Sequence, residues 1–253
     1  MRLEWVIEPN DAAKVSDLVA RSESERLVQE RRQRNLGQPR PHISRSPTWQ
    51  VMVGCLLTTQ QKSGPGKPVA RFLETDPFRL AYDLCCQKSD LRAFALRTIS
   101  DFRGIRRGPT VAGQLAANFA YLEAGNWVTL LERLAQTDAS NDGMFERSAA
   151  HYIADSLKGF GPKQARNFLQ WVGVSKHEIP IDSRVTKWLN KELLSFRLNA
   201  AMLADHVYYD MVSDGVIRLC EMAGVIPCVF DAAVFASFDK SPVSTSQPQT
   251  LGV

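Results

Sequence analysis

The chain has 253 residues, 44% of them hydrophobic and 23% charged. That is long enough for one large domain or two small lobes, each with a core, and too apolar for a disordered chain. The formal net charge of +4 suits a polyanionic partner without requiring one, and no stretch reaches the roughly 20 apolar residues of a membrane span.

The five cysteines, Cys55, Cys85, Cys86, Cys220 and Cys228, are odd in number and sit mostly in apolar segments. This pattern fits a reducing compartment, cytoplasmic or nuclear. No CxxC spacing occurs, and His42, His151, His177 and His206 show no metal-like spacing. We therefore expect no thiolate cluster, no metal site and no redox cofactor. The opening MRLEWVIEPND lacks the apolar core of a signal peptide.

Helical periodicity runs through most of the chain. Residues 11–34 predict one or two polar helices ending in the basic run Arg31–Arg34, taken as a solvated helix end. After a loop marked by Gly37, Pro39 and Pro41, Pro47-Thr48-Trp49 opens a helix to about Gln61, whose interior VMVGCLL is apolar on all sides. Shorter helices are expected near 67–74, 77–86 and 88–100, then a basic loop, DFRGIRRG, at 101–108. Val111, Leu115, Phe119 and Leu122 mark the next helix, and another covers 127–136. Asn141 and Asp142 offer caps for a helix striped by Phe145, Ala149, Tyr152, Ile153 and Leu157. Ala165, Phe168, Leu169 and Val172 form a second stripe closed by Gly173, and Val185, Trp188, Leu189 and Leu193 a third after Asp182. Helices near 200–223 and 229–238 complete the chain before a polar tail, 241–253, expected to be disordered. No strand alternation is persuasive, so the fold class is all-α.

The stretch Leu157-Lys158-Gly159-Phe160-Gly161-Pro162-Lys163-Gln164-Ala165 joins two amphipathic helices by a very short turn. Gly159 and Gly161 permit positive φ and close approach of another backbone. Phe160 can plug the turn into the core, and Pro162 suits the first position of a helix. The free amides of that helix start could hold a phosphate without sequence preference. A plain helical hairpin with a glycine-rich turn reads the same way.

LKGFGPKQARNFLQWVG followed by HEIPIDSRVTKWL resembles the helix-hairpin-helix, Gly/Pro–Asp superfamily of base-excision DNA glycosylases, which includes endonuclease III and the 8-oxoguanine glycosylases. The family pattern is an LxGxGxKxA hairpin, a helix, then an apolar stretch ending in Asp before another helix. WQVMVGCLLTTQQ resembles the family's first barrel helix with its LLSxQ end, and ISDFRGIRRGPTVAGQLAANFAYL its middle helix pair. The resemblance covers roughly residues 47–195.

It implies a helical barrel of 47–173 carrying the hairpin, and a second lobe of 1–46 plus 174–240, with double-stranded DNA carrying a damaged base in the cleft between them. Lys163 and Asp182 fall on the family's catalytic positions. Gly159, Phe160 and Gly161 would contact the DNA backbone. Gln60 would be inserted into the duplex, although a helix-end glutamine without a role reads equally well. Arg106 and Arg107, with Arg103, could reach the opposite strand or simply form a solvated basic loop. A cation held by the Gly159–Gly161 carbonyls is also implied, and the protein would act as a monomer away from membranes.

The chemistry suits those residue types. Breaking a C1′–N bond builds positive charge on the sugar, which a nearby carboxylate stabilises. A neutral amine can attack C1′ to form an imine, after which β-elimination cuts the strand. A lysine in the first turn of a helix, partly desolvated, is pushed toward the neutral form. Family members that only remove the base lack the hairpin lysine, so Lys163 implies a bifunctional glycosylase/lyase. Asp182 before Ser-Arg-Val also reads as a helix N-cap, and the two roles are compatible.

The family's Cys-x6-Cys-x2-Cys-x5-Cys cluster is absent, and IPCVFDAAVFASF resembles the terminal helix of the shorter 8-oxoguanine enzymes. An oxidised base, 8-oxoguanine first, is therefore the expected substrate. The alternatives are a glycosylase for oxidised or mismatched pyrimidines, a hairpin module that binds DNA without catalysis, and a purely structural helical domain.

Overall fold

A computed structural model of the chain describes residues 4–61, 64 and 66–239. The tail expected at 241–253 lies outside them. Among the described residues there are helices and connections and no strand. In order these are α1 (Pro9–Ser22), α2 (Arg26–Leu36), α3 (Arg45–Leu57), α4 (Pro68–Leu73), α5 (Tyr82–Cys86), α6 (Leu91–Ser100), α7 (Gly108–Tyr121), α8 (Trp127–Ala139), α9 (Gly143–Ser156), α10 (Pro162–Val172), α11 (Ser183–Glu192), α12 (His206–Met222) and α13 (Pro227–Asp239). A wide turn at Leu122–Asn126, broken at Gly125 (φ 105°), separates α7 from α8.

Buried apolar side chains gather in two clusters. The first draws on Trp49 to Val174, with α3 at its centre. The second draws on Val15, Leu18, Val19 and Val28 near the start of the chain and on Ile179 to Val234. Each fully buried Leu, Phe or Val contributes about 1.5–3 kcal/mol, so Met52, Val53, Leu56 and Leu57, all within 1% of full burial, make α3 the stiffest wall of the first cluster.

Capping explains where several helices start. Asp142 accepts from the Met144 amide at 2.9 Å to open α9, and Asp205 accepts from the Tyr208 amide at 2.8 Å to open α12. Gly173, at φ 97°, closes α10 in the left-handed conformation. Side chains also bridge the clusters: Asn35 of α2 donates to the Gln170 carbonyl at 3.2 Å and the Ser175 carbonyl at 2.8 Å.

Four expectations need correction. The helix opened near Pro47 starts at Arg45 and ends at Leu57, leaving Gln60 and Gln61 in the following turn. Phe145 is 46% exposed and lies off the inner stripe of α9, because the stripe needs only Ala149, Ala150 and Ile153 to meet the core. The helix expected near 200 begins at His206, after a short turn of 3-10 helix at Met202–Ala204. Arg31 is buried at 7% exposure and ion-paired, so it leaves the run expected to be solvated, while Gln33 and Arg34 are exposed.

Candidate active site

The turn between α9 and α10 is built around one glycine that must be a glycine. Gly159 has φ 86°, and a Cβ there would come within 2.6 Å of Leu56 Cδ2 and 2.7 Å of the Gln114 side chain. Asn118 holds the preceding residue at both ends, accepting from the Lys158 amide at 2.7 Å and donating to its carbonyl at 3.0 Å. The Phe160 ring is 4% exposed and meets Phe168 edge-on at 5.7 Å. This side chain is a core plug, as expected from its place in the turn, and it is not available to a partner. Gly161 departs from expectation: its φ is −101°, extended backbone open to any residue. Nothing lies within 4 Å of where its Cβ would be.

Pro162 occupies the start of α10, and no side chain caps that end. The next two amides are those of Lys163 and Gln164, and none of the hydrogen bonds described uses them. They are donors left to an outside acceptor at the positive end of the helix. The turn carbonyls that a cation would use are partly engaged. Lys158's accepts from Asn118, and Gly161's accepts from the Ala165 amide at 2.9 Å. Among the described residues no group of three or more His, Cys, Asp or Glu could hold a metal ion.

Lys163 is half-buried, and its Nζ lies 3.3 Å from Gln164 Oε1. Gln164 in turn donates to the Cys55 carbonyl, and Asn167 Nδ2 lies 3.6 Å from Cys55 Sγ. Burial pushes the Cys55 thiol up to about 12, opposed by the nearby Lys163 charge and the Asn167 amide. The amine therefore sits near the fully buried helix α3, beside a thiol that stays protonated.

Asp182 ends the extended segment after α10 and caps α11. Its Oδ1 accepts from the Arg184 amide at 2.7 Å and the Val185 amide at 3.0 Å. Two amides fix the carboxylate's direction. Arg184 lies 3.7 Å from Oδ2 and stacks over the Phe235 ring at 3.6 Å.

A further buried carboxylate is one the sequence did not single out. Asp231 of α13 is 3% exposed, and its Oδ2 accepts from Arg31 at 2.7 Å. Burial raises its pKa, the Arg31 charge and hydrogen bond oppose that, and Asp182 and Lys163 both act on it, Asp182 raising and Lys163 lowering. Arg31 could have been found. It lies on the same face of α2 as the buried Val28 and Asn35, at helical spacing.

Gln60 and the basic loop meet on another part of the surface. Gln60 is exposed at φ 58°, and Arg107 stands at φ 62°. Among the described residues these are the two non-glycine positions with positive φ, a conformation that costs about 1 kcal/mol or more. Their loops are tied together. Gln61 Oε1 accepts from the Arg106 amide at 2.9 Å, and Arg107 Nη1 lies 3.5 Å from the Thr59 carbonyl. Gln60 and Arg106 are left exposed side by side along this paired loop, with Arg103 on the same exposed stretch.

By sequence, no family model and no curated protein matches the chain. Solved structures do. The 8-oxoguanine DNA glycosylase of Thermotoga maritima superposes with a TM-score of 0.61 at 16% identity, over 91% of this chain and 98% of that one. The 8-oxoguanine DNA glycosylase of Methanocaldococcus jannaschii gives 0.61 at 15% identity, over 90% and 93%. The latter's glycosylase/lyase complex with a 15mer DNA containing 8-oxoguanine gives 0.60 at 12% identity, over 88% and 95%. The chain has the all-helical fold of these enzymes from end to end of the superposition.

Proposed function

We propose that this fold carries a bifunctional DNA glycosylase/AP lyase, with Lys163 as the nucleophile and Asp182 as its carboxylate. The observation that carries the reading is a half-buried lysine in the first turn of α10, beside two unused amides, with a carboxylate aimed by two amides at the start of α11, in a fold shared with 8-oxoguanine glycosylases. The hairpin would hold a phosphate through the unused amides and the open face at Gly161. A cation on the Gly159 and Gly161 carbonyls would supply further positive charge there.

In this mechanism Gln60 fills the gap left when the damaged nucleotide is flipped out, and Arg106 and Arg107 face the opposite strand. Two residues held in strained backbone on mutually tied loops suit such a wedge, since strain of this kind persists where the surroundings enforce it. The Lys163 amine attacks C1′ as the C1′–N bond breaks and the base departs with a proton. The Asp182 carboxylate stabilises the positive charge on the sugar. The aminal so formed, its first amine proton gone with the base, opens at the C1′–O4′ bond, with O4′ taking a proton from solvent, to give a protonated imine; this loses the 2′ proton, and the 3′ phosphate leaves by β-elimination. An oxidised base, 8-oxoguanine first, is the proposed substrate, and the neighbours' named activity supports it. The protein would act as a monomer on cytoplasmic or nuclear DNA.

Sodium borohydride tests this directly, because it reduces the imine to a stable protein–DNA crosslink. Duplexes carrying 8-oxoguanine, thymine glycol, uracil or an abasic site should give a crosslink on at least the first and last. Lys163→Ala should abolish it. A protein that binds these duplexes and crosslinks to none is a hairpin binding module instead. A crosslink on thymine glycol alone would move the substrate to the pyrimidines.

A further inference from the structure

The extended segment between α10 and Asp182 has no helix or sheet to satisfy its backbone, so buried side chains must do so. Glu146 of α9, 2% exposed, accepts from the Lys176, His177 and Glu178 amides at 2.8, 2.9 and 2.8 Å. Tyr209 of α12, fully buried, holds the part nearest Asp182. Its hydroxyl donates to the Ile179 carbonyl at 2.9 Å and accepts from the Ile181 amide at 2.6 Å. The next residue is Asp182. Burial pushes the phenol up, so the hydroxyl keeps the proton that it donates.

The face of Tyr209 is covered by Arg166, whose guanidinium carbon lies 4.2 Å from the ring centroid. Arg166 lies one helical turn beyond Lys163 on α10 and has no exposed surface. A charge this deep requires partners. It has Glu178 on the extended segment, Asp210 of α12 at 2.6 Å, and the carbonyl of Pro162, the residue before Lys163, at 3.1 Å. From amine to carboxylate the path is short and polar: Lys163, the first turn of α10, Arg166, Tyr209, Ile181, Asp182.

We propose that Arg166 and Tyr209 form a clamp that sets the position of the Asp182 carboxylate relative to the Lys163 amine, and that both are positioning residues for the reaction. The inference rests on the reading of Lys163 and Asp182 given above. Reaction geometry is steep in distance, and a displacement near 1 Å can cost about a hundredfold in rate. A hydroxyl bonded to both backbone groups flanking Pro180 holds that distance in a way that hydrophobic packing of the ring does not.

Tyr209→Phe removes only the hydroxyl and leaves the ring under Arg166. Borohydride trapping on an 8-oxoguanine duplex under single-turnover conditions, where the imine forms only after the base is lost, separates the rate constant from the amplitude, and therefore geometry from the folded fraction. The rate constant should fall about 10-fold or more with the amplitude retained and duplex affinity within about two-fold of wild type. Asp210→Asn, which keeps the shape and weakens the hold on Arg166, should lower the rate constant in the same sense. Should Tyr209→Phe fail to fold, Asp210→Asn decides the matter. A rate constant within about two-fold of wild type in the folded variant overturns the clamp, even where amplitude or melting temperature falls. A wild-type protein that forms no imine overturns the function itself, an outcome distinct from the first.

Discussion

Asp182 holds two jobs in one side chain, and substitution separates them. Its Oδ1 caps α11 through the Arg184 and Val185 amides, while its charge belongs to the proposed chemistry. Asparagine caps as well as aspartate does, whereas replacing a cap by alanine costs about 1 kcal/mol. Asp182→Asn should therefore melt within a few tenths of a kcal/mol of wild type yet excise the base roughly 100- to 1000-fold more slowly, the scale of losing one aligned electrostatic group. Asp182→Ala should share the rate loss and add the stability loss. Denaturant melts beside single-turnover excision check both. Equal rates for wild type and Asp182→Asn would reduce Asp182 to a cap. Nothing local in the sequence points to Asp231 in the same way. An aspartate in an apolar helix resembles any other until Arg31, 200 residues away in sequence, is seen paired with it.

At the scale of the element, the two glycines of the hairpin separate turn-building from partner-facing. Both match the family pattern, but only Gly159 has positive φ, and only there would a Cβ strike α3 and α7 side chains. Gly159→Ala should cost about 1–3 kcal/mol from the backbone alone, with the clash against Leu56 added. Gly161→Ala, in extended backbone with open space, should leave stability within about 1 kcal/mol of wild type and weaken duplex binding, because its methyl would stand on the face offered to a phosphate. Urea melts and duplex titrations of the two variants test the division; equal destabilisation of both would refute it. Spacing made the hairpin, Pro162 at the helix start, the Phe160 plug and the Asp182 cap legible, because each is local chemistry acting within a few residues. The ends of α3 and α12 were less so. The helical pattern runs on past Leu57, whereas the backbone turns out of the helix at Gln60 (φ 58°) and the Gln61 side chain accepts from the Arg106 amide of the neighbouring loop. The extended segment was legible only as an apolar stretch. Its hydrogen bonds come from Glu146 and Tyr209, on helices before and after it, and no local pattern announces such partners.

For the whole molecule, the net charge of +4 is too small to make DNA binding by bulk attraction the main effect. Affinity must come from a few placed groups: the two amides at the start of α10 and the exposed guanidinium groups of the loop tied to Gln61. Binding through Z phosphates gives a slope near −0.9Z in a plot of log affinity against log salt. A small set of contacts predicts a slope of roughly −3 to −4, well short of the steep dependence of an extensively basic protein. Arg106→Ala should reduce the slope by about 1, since it removes one cation without disturbing a bond to the core. Gln60→Ala carries no charge change and should leave the slope where it was while lowering affinity for a duplex with a damaged base. Amides contribute dipoles that no side-chain substitution removes, so a residual slope should survive the loss of all three loop arginines, Arg103, Arg106 and Arg107. A slope that falls to zero in that triple variant would mean that the hairpin holds no phosphate. The fold would then meet DNA through the loop alone, with Lys163 out of reach of a sugar.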